Sequence, residues 1–135
     1  MKLVPYLTFD GNAEEALNFY ADVLAGEVTQ LARYSSMQGM PVPEGYGDKV
    51  MHGRVKFGEN FIYASDANRP VNAGDTISLT VEFSAEDQID RAFDLLSRDG
   101  QVHMELAKQF WGAKYGKLTD KFGVQWDLNY QYPAE

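Results

Sequence analysis

The chain contains no cysteine, and that absence removes disulfides, zinc-thiolate sites and thiol nucleophiles at once. Positive charge is also scarce. Twelve Lys and Arg stand against 20 Asp and Glu, for a formal net charge of -8. Affinity for nucleic acid comes largely from clustered Lys and Arg, so nucleic acid is not an expected partner. No apolar run approaches the roughly 20 residues that a membrane helix needs, so no membrane partner is expected either. The opening "MKLVPYLTF" meets Pro5 and then Asp10 before it gains the apolar length or cleavage site of a signal peptide. The expectation is a cytoplasmic protein. Two motifs are missing as well: "GEN" and "GYG" lack the strand-to-helix context of a phosphate-cradling loop, and no Gly-x-Ser-x-Gly elbow presents a nucleophilic serine.

What the chain does have is enough apolar material for an interior. Apolar residues make up 44% of its 135 residues and charged residues 24%, the balance of an ordinary globular domain. "LVPYLTF" alternates, with Leu3, Pro5, Leu7 and Phe9 on one face and Val4, Tyr6 and Thr8 on the other, as a half-buried strand does. Ala16, Leu17, Tyr20, Val23 and Leu24 follow at helical spacing. Asn12 and Glu15 are placed as a capping box, and Gly26 is the expected left-handed terminator. "EVTQLARY" reads as a strand, about Ser35 to Asp48 as a loop, and "KVMHGRVKF" and "NFIYASD" as two strands joined at Gly58-Glu59.

From Thr76 the order restarts. "TISLTVEF" alternates, Ser84 and Asp87 offer a second cap, and Ile89, Phe93 and Leu96 give a helical stripe ending at Gly100. Overlaying the halves pairs Leu7 with Leu79, Phe9 with Val81, Ala13-Glu14 with Ala85-Glu86, and Gly26 with Gly100. Self-similarity of this kind points to two related modules, about 1–70 and about 71–135.

Three segments in order, "PYLTFDGNAEEALNFY", "VMHGRVKFGENFIYASD" and "FWGAKYGKLTDKFGVQW", resemble the PhnB-like branch of the vicinal oxygen chelate superfamily, which includes glyoxalase I, bleomycin-resistance proteins and extradiol dioxygenases. The resemblance implies an α+β fold of two βαβββ modules forming a curved mixed sheet around a cavity, as a single domain, usually within a homodimer. It also implies a divalent metal held by His and Glu side chains on four strands. Period-two alternation tests each of those positions here and places Val4 or Pro5, a position near Tyr63, Thr76 and Asp127 in them. One carboxylate does not hold a divalent ion tightly, so neither a metal nor another cofactor is expected. A displaced set of His52, Asp66 and Asp127 is the alternative.

In "KVMHGRVKF", Met51, Val55 and Phe57 are expected to face the helix, which turns His52 and Arg54 to the cavity. A histidine there shuttles protons near neutral pH, and an adjacent arginine binds a carboxylate, phosphate or enolate; the structural alternative is a hydrogen-bonded His52 and a rim Arg54. Tyr6, Thr76, Ser78, Thr80, Glu82 and Asp127 share the polar wall. In "FWGAKYGKLTDKFGVQW", the core is expected to begin at Thr119, with Gly123 in a special turn and Trp126 inward. Phe110, Trp111 and Tyr115 are left to border the cavity or a partner subunit. The loop with Met37, Met40 and Tyr46 is either a lid or an irregular crossing. The expected function is binding of a small organic ligand by a homodimer. The enzyme alternatives are a lyase, isomerase or dioxygenase with a displaced metal, or proton transfer by His52 and Asp127. Methyl transfer finds no glycine-rich nucleotide turn to support it.

Overall fold

Each half of the chain builds the same sheet from the same succession of elements. The computed structural model describes residues 1–37, 39 and 41–134, which divide into two units, Met1–Asn72 and Ala73–Glu135. The first contains β1 (Tyr6–Phe9), α1 (Ala13–Val23), β2 (Glu27–Arg33), β3 (Val50–Phe57) and β4 (Asn60–Asp66); the second contains β5 (Leu79–Phe83), α2 (Glu86–Ser97), β6 (Gln101–Lys108), β7 (Ala113–Thr119) and β8 (Gln125–Gln131). The four-stranded sheets run β1-β4-β3-β2 and β5-β8-β7-β6. In each, the first and last strands pair in parallel and the remaining neighbours antiparallel. These are the two βαβββ modules of an α+β fold.

One helix covers one face of each sheet. Ala13, Ala16, Leu17, Tyr20 and Val23 of α1 are buried, as are Ile89, Ala92, Phe93 and Leu96 of α2, the three-and-four spacing of a single apolar stripe. Alternation on the strands answers it. Ile62, Ala64 and Asp66 of β4 are buried, whereas Phe61, Tyr63 and Ser65 between them are only half-buried. Glycine lets helix and sheet approach. A Cβ at Gly53 on β3 would stand 2.4 Å from Leu17 Cδ1, and one at Gly116 on β7 would stand 2.6 Å from Phe93 Cε2.

The helix ends differ from the sequence expectations. Asn12 makes no side-chain cap to α1; the buried carboxylate of Asp66, at the end of β4, accepts from Gly11 N at 3.0 Å and Ala13 N at 2.9 Å through Oδ1, and from Val50 N at 2.9 Å through Oδ2. A group from a distant strand thus satisfies the amides that a local cap would serve. At α2 the cap position falls on Ala85, one residue beyond Ser84, and carries no side-chain cap. At the C-terminal ends the left-handed residues are Ala25 (φ 52) and Asp99 (φ 59), not Gly26 and Gly100. Gly26 N instead closes the turn on Ala21 O at 2.8 Å, the Schellman pattern. Both glycines are needed for space: an added Cβ would meet Lys56 O at 2.3 Å and Thr119 O at 2.4 Å, respectively.

Three further expectations are corrected. β1 starts at Tyr6, after Pro5, which has no amide proton for a ladder, so Val4 lies outside it. On β3 it is Val50, Gly53 and Val55 that are buried, while Met51 is half-exposed, because the register with β2 shifts beside Ala32 and Arg33. The core of the last hairpin begins at Ala113, not Thr119: Ala113, Gly116 and Leu118 of β7 are all buried. The loop after β2 is pinned to the end of β4, with Tyr34 Oη donating to Asp66 O at 2.6 Å and Tyr46 Oη donating to Ala67 O. Its backbone ends also meet, Tyr34 N to Lys49 O at 3.1 Å and Ser35 N to Gly47 O at 3.0 Å. Gln38, Met40 and Glu135 lie outside the described residues. No described helix is long and apolar enough to cross a membrane.

Asp66→Ala would leave three amide donors without their acceptor and is expected to lower the unfolding free energy by about 3 kcal/mol, whereas Asn12→Ala should cost under about 0.5 kcal/mol. Urea denaturation of both variants checks this; equal losses would restore Asn12 as the cap.

Candidate functional site

The face of the first sheet turned away from α1 carries the chemistry. With Gly53 and Val55 committed to the helix side, His52, Arg54 and Lys56 of β3 point the other way, and the register places Arg54 opposite Tyr63 and Lys56 opposite Phe61 on β4. Tyr6 on β1 is the neighbour of Tyr63 across the parallel pair. The side chains meet accordingly. Arg54 Cζ lies 4.3 Å from the Tyr63 ring centroid, and Lys56 Nζ and Lys2 Nζ lie 5.9 and 3.9 Å from that of Phe61. The His52 ring stands 5.6 Å from that of Tyr6 and 5.2 Å from that of Tyr63. Each cation therefore rests on a π face.

His52 is held at both nitrogens. Arg54 Nε–H donates to His52 Nε2 at 2.9 Å, and since a guanidinium has no lone pair to offer, Nε2 must be the acceptor and Nδ1 must carry the ring proton. Nδ1 lies 3.0 Å from Tyr6 Oη. Tyr6 Oη therefore accepts, and its own hydrogen is directed elsewhere. Burial, and then the adjacent Arg54 charge, hold the His52 pKa below the usual 6.5. A neutral imidazole is thus the form that the arrangement favours.

The corresponding face of the second sheet is built from Thr80 and Glu82 of β5, Tyr115 and Lys117 of β7, and Asp127 and Asn129 of β8, with Thr80 opposite Asp127, Lys117 opposite Asp127 and Tyr115 opposite Asn129. Lys117 Nζ stands 3.2 Å from Asp127 Oδ1. The contact pairs the charges, and among the described residues Oδ1 is buried without a well-aligned hydrogen-bond partner. Asp127 raises the Lys117 pKa above its usual range. Thr76 and Ser78, expected on the same wall, precede β5, whose first residue is Leu79. Phe110 and Trp111 form the tip between β6 and β7 and are 97% and 49% exposed. Their rings meet edge to face at 5.0 Å, and Trp111 reaches Tyr115 at 6.2 Å.

Two polar centres escaped the sequence reading. Asp120 accepts from Phe122 N, Val124 N and Trp126 Nε1, which fixes the turn around Gly123 (φ 90) and seats the buried Trp126; Asp at the head of "DKFG" was the available signal. Lys114 joins β7 to α2 through Glu86 and Asp90, a link that no local spacing reveals.

The donors do not suit a divalent cation. The outward residues of β1 and β4 are Tyr6, Thr8, Phe61, Tyr63 and Ser65, with no carboxylate or imidazole among them. His52 has both nitrogens engaged, and Asp66 uses its oxygens on backbone amides on the helix side, so neither of these two members of the displaced set is free to ligate. Among the described residues no group of three or more His, Cys, Asp or Glu is arranged to hold a metal ion.

Paired βαβββ modules define the class. Solved structures with this fold include the fosfomycin resistance protein FosX from Mesorhizobium loti, 6% identical with a TM-score of 0.63 over 98% of this chain and 92% of that one, a likeness of fold alone. Nearer relatives give the family. The family model described as 3-demethylubiquinone-9 3-methyltransferase matches residues 1–129. YjdN of Escherichia coli strain K12 is 30% identical over 142 residues, covering 96% of this chain and 95% of that protein. Protein PA1353 from Pseudomonas aeruginosa is 32% identical with a TM-score of 0.85, covering 97% and 98% of the two chains. A PhnB protein from Bacillus cereus, titled a putative 3-demethylubiquinone-9 3-methyltransferase, is 30% identical with a TM-score of 0.81, covering 96% and 99%. The chain belongs to this PhnB-like family.

In an NMR titration His52 is expected to ionise below 6.5, and Arg54→Gln should move its midpoint upward. Because the folded pKa is the lower one, the unfolded chain binds the extra proton first; the stability due to neutral His52 is complete above the unfolded pKa and falls as pH drops through the folded one. A midpoint at or above that of an exposed histidine would contradict the bonding pattern.

Proposed function

We propose that this protein binds a small organic molecule against the open face of its first sheet, in the cytoplasm and without a metal at the superfamily's usual position. The observation that carries the reading is the chain Arg54 to His52 to Tyr6: two hydrogen bonds lead to a phenol that accepts from His52 and so keeps its own hydrogen to give. Preorganised polar groups set among rings are the composition of a ligand site. Glu82, Asp127 and Tyr115 on the open face of the second sheet are further candidate ligand contacts.

An enzyme using His52 and Asp127 for acid-base work has less support. Nε2 already accepts a hydrogen bond from a permanent cation, and Asp127 is paired with Lys117, so neither is set up as a free base. Methyl transfer, named in the family model's description, lacks a glycine-rich turn after a strand to hold a nucleotide-like donor. The homodimer is proposed from the exposed Phe110 and Trp111, large rings of the kind enriched in interfaces.

Thermal melting against a metabolite panel is expected to show at least one stabilising ligand whose shift is lost in Tyr6→Phe/His52→Gln protein; no shift across the panel, or stoichiometric zinc, nickel, manganese or iron in protein purified without added metal, would count against the proposal. Light scattering is expected to report a dimer at micromolar concentration, and the Phe110→Ser/Trp111→Ser variant a monomer; a wild-type monomer would remove the interface reading.

A further inference from the structure

We propose that the ligand carries an oxyanion, in its simplest form a carboxylate, bound by the Nη1 and Nη2 groups of Arg54 and the hydroxyl of Tyr6, with a flat apolar body against Tyr63 and Phe61. This rests on the reading that the open face of the first sheet binds a small molecule, and it assigns that molecule's chemical class.

The first ground is charge. In a chain of formal net charge -8, Lys and Arg have carboxylates in excess to pair with, and Arg33, Arg98, Lys114 and Lys117 all do so. Lys2, Arg54 and Lys56 form a separate group. None has an ion-pair partner among the described residues, and all lie over the rings of Phe61 and Tyr63. Glu27 stands opposite Lys56 across β2 and β3, but no carboxylate among the described residues pairs with Arg54, and an unpaired guanidinium beside further cations favours an anion.

The second ground is geometry. Arg54 uses Nε–H on His52 and its π face on Tyr63, which fixes the plane of the guanidinium while leaving the Nη edge without a partner among the described residues. That edge is the fork that matches two oxygens of one carboxylate. Tyr6 adds a single donor. Its hydroxyl accepts from His52 Nδ1, so the hydrogen left over can only be given to an acceptor, and at 49% exposure the residue is within reach of one. The two polar groups set around the Tyr63 ring, Arg54 and Tyr6, thus both offer hydrogens. A neutral ligand with both donors and acceptors would waste part of the match, whereas an oxyanion would take all of it. Phe61 and Tyr63, ring to ring at 6.1 Å, supply an apolar wall beside it.

Benzoate and benzamide share shape and differ in charge, and chemical-shift titration of the His52 ring follows either at the site. Wild-type protein is expected to bind benzoate about tenfold or more tightly than benzamide. Arg54→Gln should erase that preference, Arg54→Lys should keep part of it because the charge remains without the fork, and Tyr6→Phe should weaken benzoate severalfold. Equal binding of the two probes, or a preference intact in Arg54→Gln protein, would overturn the oxyanion assignment while leaving a small-molecule site in place. Failure of both probes to perturb His52 at millimolar concentration would overturn both.

Discussion

One carboxylate ties the first module together. Asp66 ends β4, yet its oxygens receive the amides that open α1 and the amide that opens β3, and its backbone carbonyl receives the Tyr34 hydroxyl. Three segments distant in sequence are fixed to one residue that is 1% exposed. A buried charge of this kind is tolerable only because each oxygen is satisfied. Val50, the residue bonded to Oδ2, stands two positions before His52. The same carboxylate that secures the helix therefore also fixes where β3 begins.

From that register the site follows. Gly53 and Val55 take the helix side, so His52, Arg54 and Lys56 take the other, and the antiparallel pairing with β4 brings Arg54 over Tyr63 and Lys56 toward Phe61. Arg54 then determines the state of His52, because a donor that cannot accept forces the imidazole to present its lone pair. The imidazole in turn determines which way the Tyr6 hydroxyl offers its hydrogen. Two strands, β1 and β3, contribute to this relay, and its direction is set by the one member that never loses its proton.

Sequence reading reached the family, the module order and most strands because those depend on periodicity and on glycines. It reached Gly26 as a left-handed terminator and Gly100 as the stop of a helical stripe. Both positions require glycine, but the constraint is a carbonyl of the neighbouring strand and not a left-handed backbone, which Ala25 and Asp99 adopt instead. The caps failed for a related cause: a local rule assigned Asn12 a task that Asp66 performs from 53 or 55 residues away. In the last hairpin the core was placed from Thr119 onward because the buried members of "AKYG" are Ala113 and Gly116, which carry little hydrophobic signal although Gly116 lies against Phe93 of α2.

The sequence by itself determined that two similar sheets, each with one covering helix, would form, and that His52 and Arg54 would share a face. Those facts follow from the side-chain period of strands and helices, which is local. Only the tertiary structure decided that Arg54 would point Nε at His52 and its ring-stacking face at Tyr63, that Tyr6 would complete the relay, and that Asp66 would be structural. Each of these depends on which strands lie side by side and in what register, and hydrogen bonds made across such pairings leave no period in the sequence.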